Sequence, residues 1–502
     1  VHLFVFLYTL EAITMKLATS QFVNMLLVLL GFIFPQLTTA AEPLRPNIVF
    51  ILADDLGFGD LGCFGQQTLS TPHLDRMAAE GMRFTRHYAG MTVCAPSRCV
   101  LMTGQHSGHA AVRTNWDPPL ADGVPTLASV LAATGYKTAA FGKWGLGHTI
   151  PEDDPNKKGF DSFYGYVDMF HAHNFFPPFL IHNGKREALR NDLIPGSDAG
   201  ASSGRGNGVA QNPVDYAPEL IVRNAVNFLD SVALDTNFFL YLAFNTPHAN
   251  NEGGKPEYRR GMEVPDFGPF AEHGWPLEEK GFARMMHDID QTVGQVLSKL
   301  QERGLANNTV VVFSSDNGPH QEGGHRVDYF DSNGPLQGNK RDLYEGGIRV
   351  PTIAWWPGHV QAGQVCERLS GFQDYMPTFC ELAGAPAPQT DGISLVPTWL
   401  GNPEAGPAHD YLYFEFYEGG GKQAVVAERW KAVRLDWNAN PESPLELYDL
   451  HADVGETQDV AATYPEIVAA MNQRMVDSHV QHTGLSEKPQ DGIPENPGFK
   501  FN

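Results

Sequence analysis

Residues 47–53 (NIVFILA) form a near-continuous apolar run that ends in Asp54-Asp55. A strand open to water on one face would alternate apolar and polar positions, so such a run marks a strand covered on both faces, as in a parallel sheet. Comparable runs recur at 138–141, 238–244, 309–313 and 352–356, with helix-like periodic segments between them. This alternation predicts an α/β architecture, a large sheet flanked by helices. Three helices carry stop signals: 72–80 opens after Thr71 and stops at Gly81, 124–134 stops at Gly135, and 277–303 stops at Gly304. The texture changes near 401–407, after which YLYFEFY, QAVVAER, WKAVRLD and LELYDL read as short strands. They predict a small antiparallel C-terminal subdomain, closed by a helix over about 464–480.

Two segments fall outside this pattern. In the first, Lys16 precedes an apolar stretch over 25–34, followed by Pro35 and the small residues Thr38, Thr39 and Ala40. That is the layout of a signal peptide over 1–40, and it implies export to the periplasm or the exterior, with no stable membrane insertion after cleavage. In the second, 190–212, Gly, Ser and Asn accumulate, as in a surface excursion. The main body then spans 41–400, the C-terminal subdomain 401–486 and a polar, Pro-rich tail 487–502.

The formal net charge of −23 excludes a general nucleic-acid or anionic-membrane binder. An anion site in such a chain has to be built locally from Arg, Lys and a metal. Five cysteines in 502 residues make no disulfide scaffold, and buried free thiols are the expected state for most of them.

In open α/β sheets ligands gather at the carboxyl ends of the strands. Asp54 and Asp55 follow the first run, Lys143 the second, His248 the third, and Asp316 with Asn317 the fourth. Taken singly, such acidic pairs are common turn residues. Converging from two strand ends, they offer hard oxygen ligands suited to Ca²⁺ or Mg²⁺. Cys94 stands just before a helix that opens near Pro96, where free N–H groups favour negative charge, and Arg98 lies one turn further on.

The stretch VCAPSRCVLMTG, residues 93–104, strongly resembles the sulfatase family, whose hallmark is Cys-x-Pro-Ser-Arg followed by Leu-Met-Thr-Gly. The resemblance runs on through PNIVFILADDLGFGDLGCFG, FGKWGLG, FSSDNGPH and LYEGGIRVP to ELYDLHADVGET. It implies an alkaline-phosphatase-like large mixed sheet, with 41–400 as the catalytic domain. By the family pattern Cys94 would be oxidised to formylglycine by a dedicated maturation enzyme. Asp54, Asp55, Asp316, Asn317 and the matured Cys94 would hold Ca²⁺, while Arg98, Lys143, His248 and Lys340 would line the sulfate pocket. The hydrate of an aldehyde has two oxygens, one to attack sulfur and one to lose its proton and expel sulfate, an exit that Cys or Ser lacks.

One departure stands out: where the family often has Gly-Lys-Trp-His-Leu-Gly, this chain has Gly145 in place of the histidine. His148, His106 and His320 are the candidates to replace it. For substrate, the aromatic and histidine-rich stretch 169–184 resembles a region of bacterial polysaccharide sulfatases, and makes His171, His173 and Asn174 candidate contacts to a sulfated carbohydrate or aryl sulfate; 251–270 is a second candidate wall. The rival readings are a phosphate or phosphonate ester hydrolase of the same fold and a catalytically dead glycan-binding homologue.

Overall fold

The computed structural model describes residues 44–198 and 204–482. The expected leader and polar tail lie outside the described residues, as does part of the 190–212 excursion. The apolar runs become strands β1 (Asn47–Asp54), β2 (Lys137–Lys143), β3 (Phe238–Pro247), β4 (Thr309–Ser315) and β5 (Thr352–Trp355). They form the middle of a ten-stranded sheet in the order Gln364–Cys366, Met82–Phe84, β5, β4, β1, β3, β2, Ser162–Tyr166, Phe179–His182, Lys185–Ala188. Strands β4, β1, β3 and β2 run parallel, and every residue of β1 is buried. Val49, Ile51 and Ala53 face one apolar layer, which includes Phe282, Met286 and Val293 of the helix Leu277–Glu302. Ile48, Phe50 and Leu52 face the other, with Leu101, Tyr375 and Phe379.

The sheet is mixed, as the family resemblance implies, and β5 departs only from the parallel reading of the apolar runs. It runs antiparallel to β4 because the chain, on leaving the carboxyl end of β4, makes no crossover to the far end. Residues 316–351 loop over the carboxyl edge and re-enter from the same side, which is how Lys340 comes to lie above the strand ends. The helix expected at 124–134 starts later, at Leu127, because Thr126 and Ser129 cap it reciprocally. All five cysteines are free. No helix among the described residues is long and apolar enough to cross a membrane.

At the C-terminus, Tyr411–Phe416, Lys422–Ala427, Trp430–Arg434 and Leu445–Asp449 form a four-stranded antiparallel sheet. One face packs on Met471 and Met475 of the helix Pro465–Ser478. The other packs on Tyr88, Val93, Leu343 and Ile348, segments that flank Cys94 and Lys340. At this junction Lys431, fully buried, lies 3.0 Å from both Glu345 and Glu456. Replacing Lys431 with Met leaves two buried carboxylates facing each other. The expected loss is about 3–5 kcal/mol, read as a lowered denaturant midpoint.

Candidate active site

Strand β1 ends in two carboxylates that diverge. Asp54 is its last residue, and Asp55 turns into the left-handed region (φ 65°), where Asp is one of the few side chains readily tolerated. That turn lets both side chains enter one crevice. Lys143 is the last residue of β2, His248 follows β3, and Asp316 and Asn317 follow β4. The helix Cys94–Thr103 points its first turn at the same place. Cys94 is 2% exposed, and Asp54, Asp55, Arg98, Asp316 and Asn317 are fully buried. Cys94 is thus enclosed, but by charged groups.

Each cation meets a carboxylate. Lys143 donates to Asp54 at 2.6 Å. Arg98 grips Asp316 through Nε and NH2 at 3.0 and 2.8 Å and donates from NH1 to the carbonyl of Lys143. Lys340 donates to Asp55 at 2.9 Å, to Glu322 at 3.1 Å and to His248 Nε2 at 3.0 Å. Burial pushes Asp54 and Asp55 up, but Lys143 and Lys340, with His248, outweigh it and hold both below the usual carboxylate range. For Asp316, burial and the neighbouring Asp54 win over Arg98, and the carboxyl is pushed up to about 7. His248 is pushed down to about 3 by burial and by Lys340. Its Nδ1 donates to the Ala249 carbonyl at 2.6 Å, so Nε2 is the acceptor and the proton between His248 and Lys340 resides on lysine.

The donor set fits a hard cation. Asp54, Cys94 and Asp316 bring ligand atoms within 4.8 Å of one another, as do Asp55, Cys94 and His248. Asn317 gives its Nδ2 to Asp55 at 2.7 Å, while its buried Oδ1 has no partner. An orphaned amide oxygen beside a carboxyl raised toward neutrality is what an oxygen-ligated cation would relieve.

Of the three expected substrate contacts, the structure brings only His173 to this crevice, its ring stacked on His248 at 4.7 Å. His171 spends Nε2 on the Phe179 carbonyl and so braces its own loop, while Asn174 accepts from the Phe176 N–H and donates to the Gly206 carbonyl, which ties that loop to the excursion. From the second wall, Glu252 reaches His173 at 3.6 Å. At Gly145 φ is 75°, and a Cβ would stand 3.2 Å from Arg98 Cδ, so a side chain there is strained twice over. Among the candidate replacements, His148 lines a small cavity together with Gly145 and Ala95, and His320 lies beside Asp55 and Glu322. His148 is tied to Asp168 and to the Asp117 carbonyl, His320 to the Pro247 carbonyl and the Glu322 N–H, and His106 stacks on His109 in a separate cleft. Sequence reasoning missed Glu322, which buries itself between Lys340 and Arg341, and Asn115, which accepts from the Ala95 N–H at 3.0 Å and so fastens the first turn of the Cys94 helix. A glutamate two residues after His320 in the loop following β4 was the available signal for the first.

Burial, then Asp54, raises the Cys94 thiol well above its ordinary value, and burial raises the other four thiols as well. Unmodified Cys94 is therefore no thiolate nucleophile at neutral pH. Native protein carrying unmodified Cys94 should resist iodoacetamide at pH 7 and react after unfolding, as read from the mass of the Cys94 peptide. Rapid native alkylation there would contradict the protonated, enclosed thiol.

A family model described as Sulfatase matches residues 46–385, and one described as N-sulphoglucosamine sulphohydrolase, C-terminal, matches 337–481. N-acetylgalactosamine-6-sulfatase of Rattus norvegicus is 34% identical over 428 residues, covering 80% of this chain and 74% of that protein. Arylsulfatase A of Homo sapiens is 33% identical over 470 residues, covering 85% and 86%. The solved structure of Ps i-CgsB in complex with k-i-k-neocarrahexaose superposes with a TM-score of 0.71 at 28% identity, covering 88% of this chain and 94% of that one.

Proposed function

Because the chain belongs to the sulfatase family and is a sulfuric ester hydrolase, we propose that it removes sulfate from sulfated carbohydrates, with Cys94 oxidised to formylglycine by a maturation enzyme. The carbohydrate class is supported by one relative named for an amino sugar and by a solved neighbour that holds an oligosaccharide. The observation that carries the mechanism is Cys94 itself. A protonated, enclosed thiol stands at the first turn of a helix, ringed by Lys143, Arg98 and Lys340, where an anion would bind and a thiol is unactivated. Formylglycine would supply an oxygen nucleophile with its own exit, and Ca²⁺ or Mg²⁺ on Asp54, Asp55, Asp316 and Asn317 would neutralise oxygen charge there.

The chain's own residues do the rest. Lys143 and Arg98 flank Cys94 and take the sulfate oxygens, with Asp54 and Asp316 as the groups that release them when the anion arrives. His248 and Lys340 act together as the acid for the leaving oxygen: the proton resides on the Lys340 ammonium, which His248 Nε2 orients, and it passes from Lys340 to the leaving oxygen. The leader over 1–40 supports export. Nitrophenyl sulfate should be hydrolysed in preference to nitrophenyl phosphate.

Replacing Cys94 with Ser should abolish multiple turnover of nitrophenyl sulfate while circular dichroism stays unchanged. Wild type should lose activity to a chelator and regain it with Ca²⁺ or Mg²⁺ rather than Zn²⁺. Turnover by the Ser variant would overturn the formylglycine reading, and a peptide in which Cys94 carries CHO in place of CH₂SH would support it directly.

A sugar alkoxide leaves poorly without a proton, whereas nitrophenolate leaves readily. His248→Ala and Lys340→Ala should therefore slow hydrolysis of a sugar sulfate about 10²–10⁴-fold more than that of nitrophenyl sulfate. Equal losses on both substrates would remove the pair from the acid role.

A further inference from the structure

A row of four rings leads out of the reaction crevice. His173 stacks on His248, Phe170 meets His173 edge-on at 5.7 Å, and Trp116 leans on Phe170 at 5.0 Å. Trp116 is 43% exposed, the one aromatic among the large exposed apolar side chains of the described residues, while Trp144, Trp355, Trp356 and Trp399 are fully buried. A second path leads to the same place. Asn115, next to Trp116, accepts from the backbone of Ala95, the residue after Cys94. Trp116 thus stands at the mouth of the site by two independent routes.

The turn that presents it is rigid. Asp117 accepts from the Arg113 and Thr114 backbone and from the Thr114 hydroxyl, and Thr114 Oγ1 accepts from the Trp116 N–H at 3.1 Å. An exposed indole held on a fixed turn loses little freedom on binding a flat partner. Beside it the Arg205 guanidinium lies 5.5 Å from the centre of the Phe170 ring and is steadied by Asp168 at 2.8 Å, with its side chain one-third exposed. In a chain of net charge −23, long-range attraction cannot hold an acidic ligand, so a cation fixed beside the aromatic pair is what would.

We propose that Trp116 and Phe170, with Arg205 beside them, form a second sugar position adjoining the reaction crevice. It takes the apolar face of the neighbouring ring of a sulfated oligosaccharide and, at Arg205, that ring's own acidic substituent. Aromatic faces suit the C–H face of a sugar, and the guanidinium suits sulfate or carboxylate. The proposal rests on the reading of the chain as a carbohydrate sulfatase. It adds that the enzyme distinguishes a sulfated sugar within a chain from the same sugar alone.

The test is calorimetric titration of wild type with size-fractionated oligosaccharides of chondroitin sulfate, heparin and carrageenan, and with the corresponding sulfated monosaccharides. Nitrophenyl sulfate turnover is measured in parallel. At least one oligosaccharide should bind about ten-fold or more tightly than its monosaccharide, the scale of one aromatic stacking contact. Trp116→Ala should remove most of that ratio and Trp116→Tyr should retain most of it. Arg205→Met should reduce the ratio only for oligosaccharides whose neighbouring ring is acidic. A ratio that survives Trp116→Ala, or one near unity for every oligosaccharide in the wild type, overturns the second position. Failure of the sulfatase reading shows separately, as wild type that does not hydrolyse nitrophenyl sulfate, and the binding ratios remain measurable in that case.

Discussion

The structure turns on the burial of charge. Asp54, Asp55, Asp316 and Glu322 share one buried crevice with Arg98, Lys143 and Lys340, with the part-exposed Arg341 at its edge. Any of these groups left alone away from water would cost several kcal/mol, so each must be met by an opposite charge or a hydrogen bond of good geometry. That requirement dictates the surrounding architecture. Four parallel strands deliver their last residues to one edge, a helix delivers its first turn, and a long return loop delivers Lys340. The apolar layers on both faces of the sheet fix those strand ends against one another.

The balance in the crevice is deliberately incomplete in chemical terms. Every cation that an anion would need is already engaged by a carboxylate, and one carboxyl, Asp316, is raised toward neutrality by burial and by Asp54 even though Arg98 holds it. Such a site is poised for exchange. A divalent cation would take over the carboxylates, and the ammonium and guanidinium groups would turn to an incoming oxyanion. Lys340 and His248 show the same economy of protons: one N–H is shared, and burial keeps it on lysine until a better acceptor enters.

Much of this was legible in the residue pattern, and the reasons for the rest are physical. The near-continuous apolar runs located β1 to β4 because a strand covered on both faces has no polar phase to confuse the reading. The carboxyl-edge rule then placed Asp54, Asp55, Lys143, His248, Asp316 and Asn317 together without coordinates. The direction of β5 was not legible, since an apolar run has no polarity and only the path of residues 316–351 decides it. His171 and Asn174 looked like substrate contacts because composition does not say which polar atoms a bent loop will claim for its own carbonyls. Gly145 could be read as a missing side chain, but not as a position whose positive φ and closeness to Arg98 strain one. Trp116 lay in an unremarkable turn. Its exposure and its place in a ring series are properties of the folded surface alone.

The C-terminal sheet carries a consequence for the order of events in the life of the chain. Its inner face covers Val93 and Leu343, so it closes over the segments that hold Cys94 and Lys340. These strands are synthesised after Cys94 and Lys340, and until they dock, the enclosure of Cys94 lacks one wall. Another protein that must reach the Cys94 side chain therefore competes with translation and docking. The time available to it lasts at least until the ribosome has completed those strands.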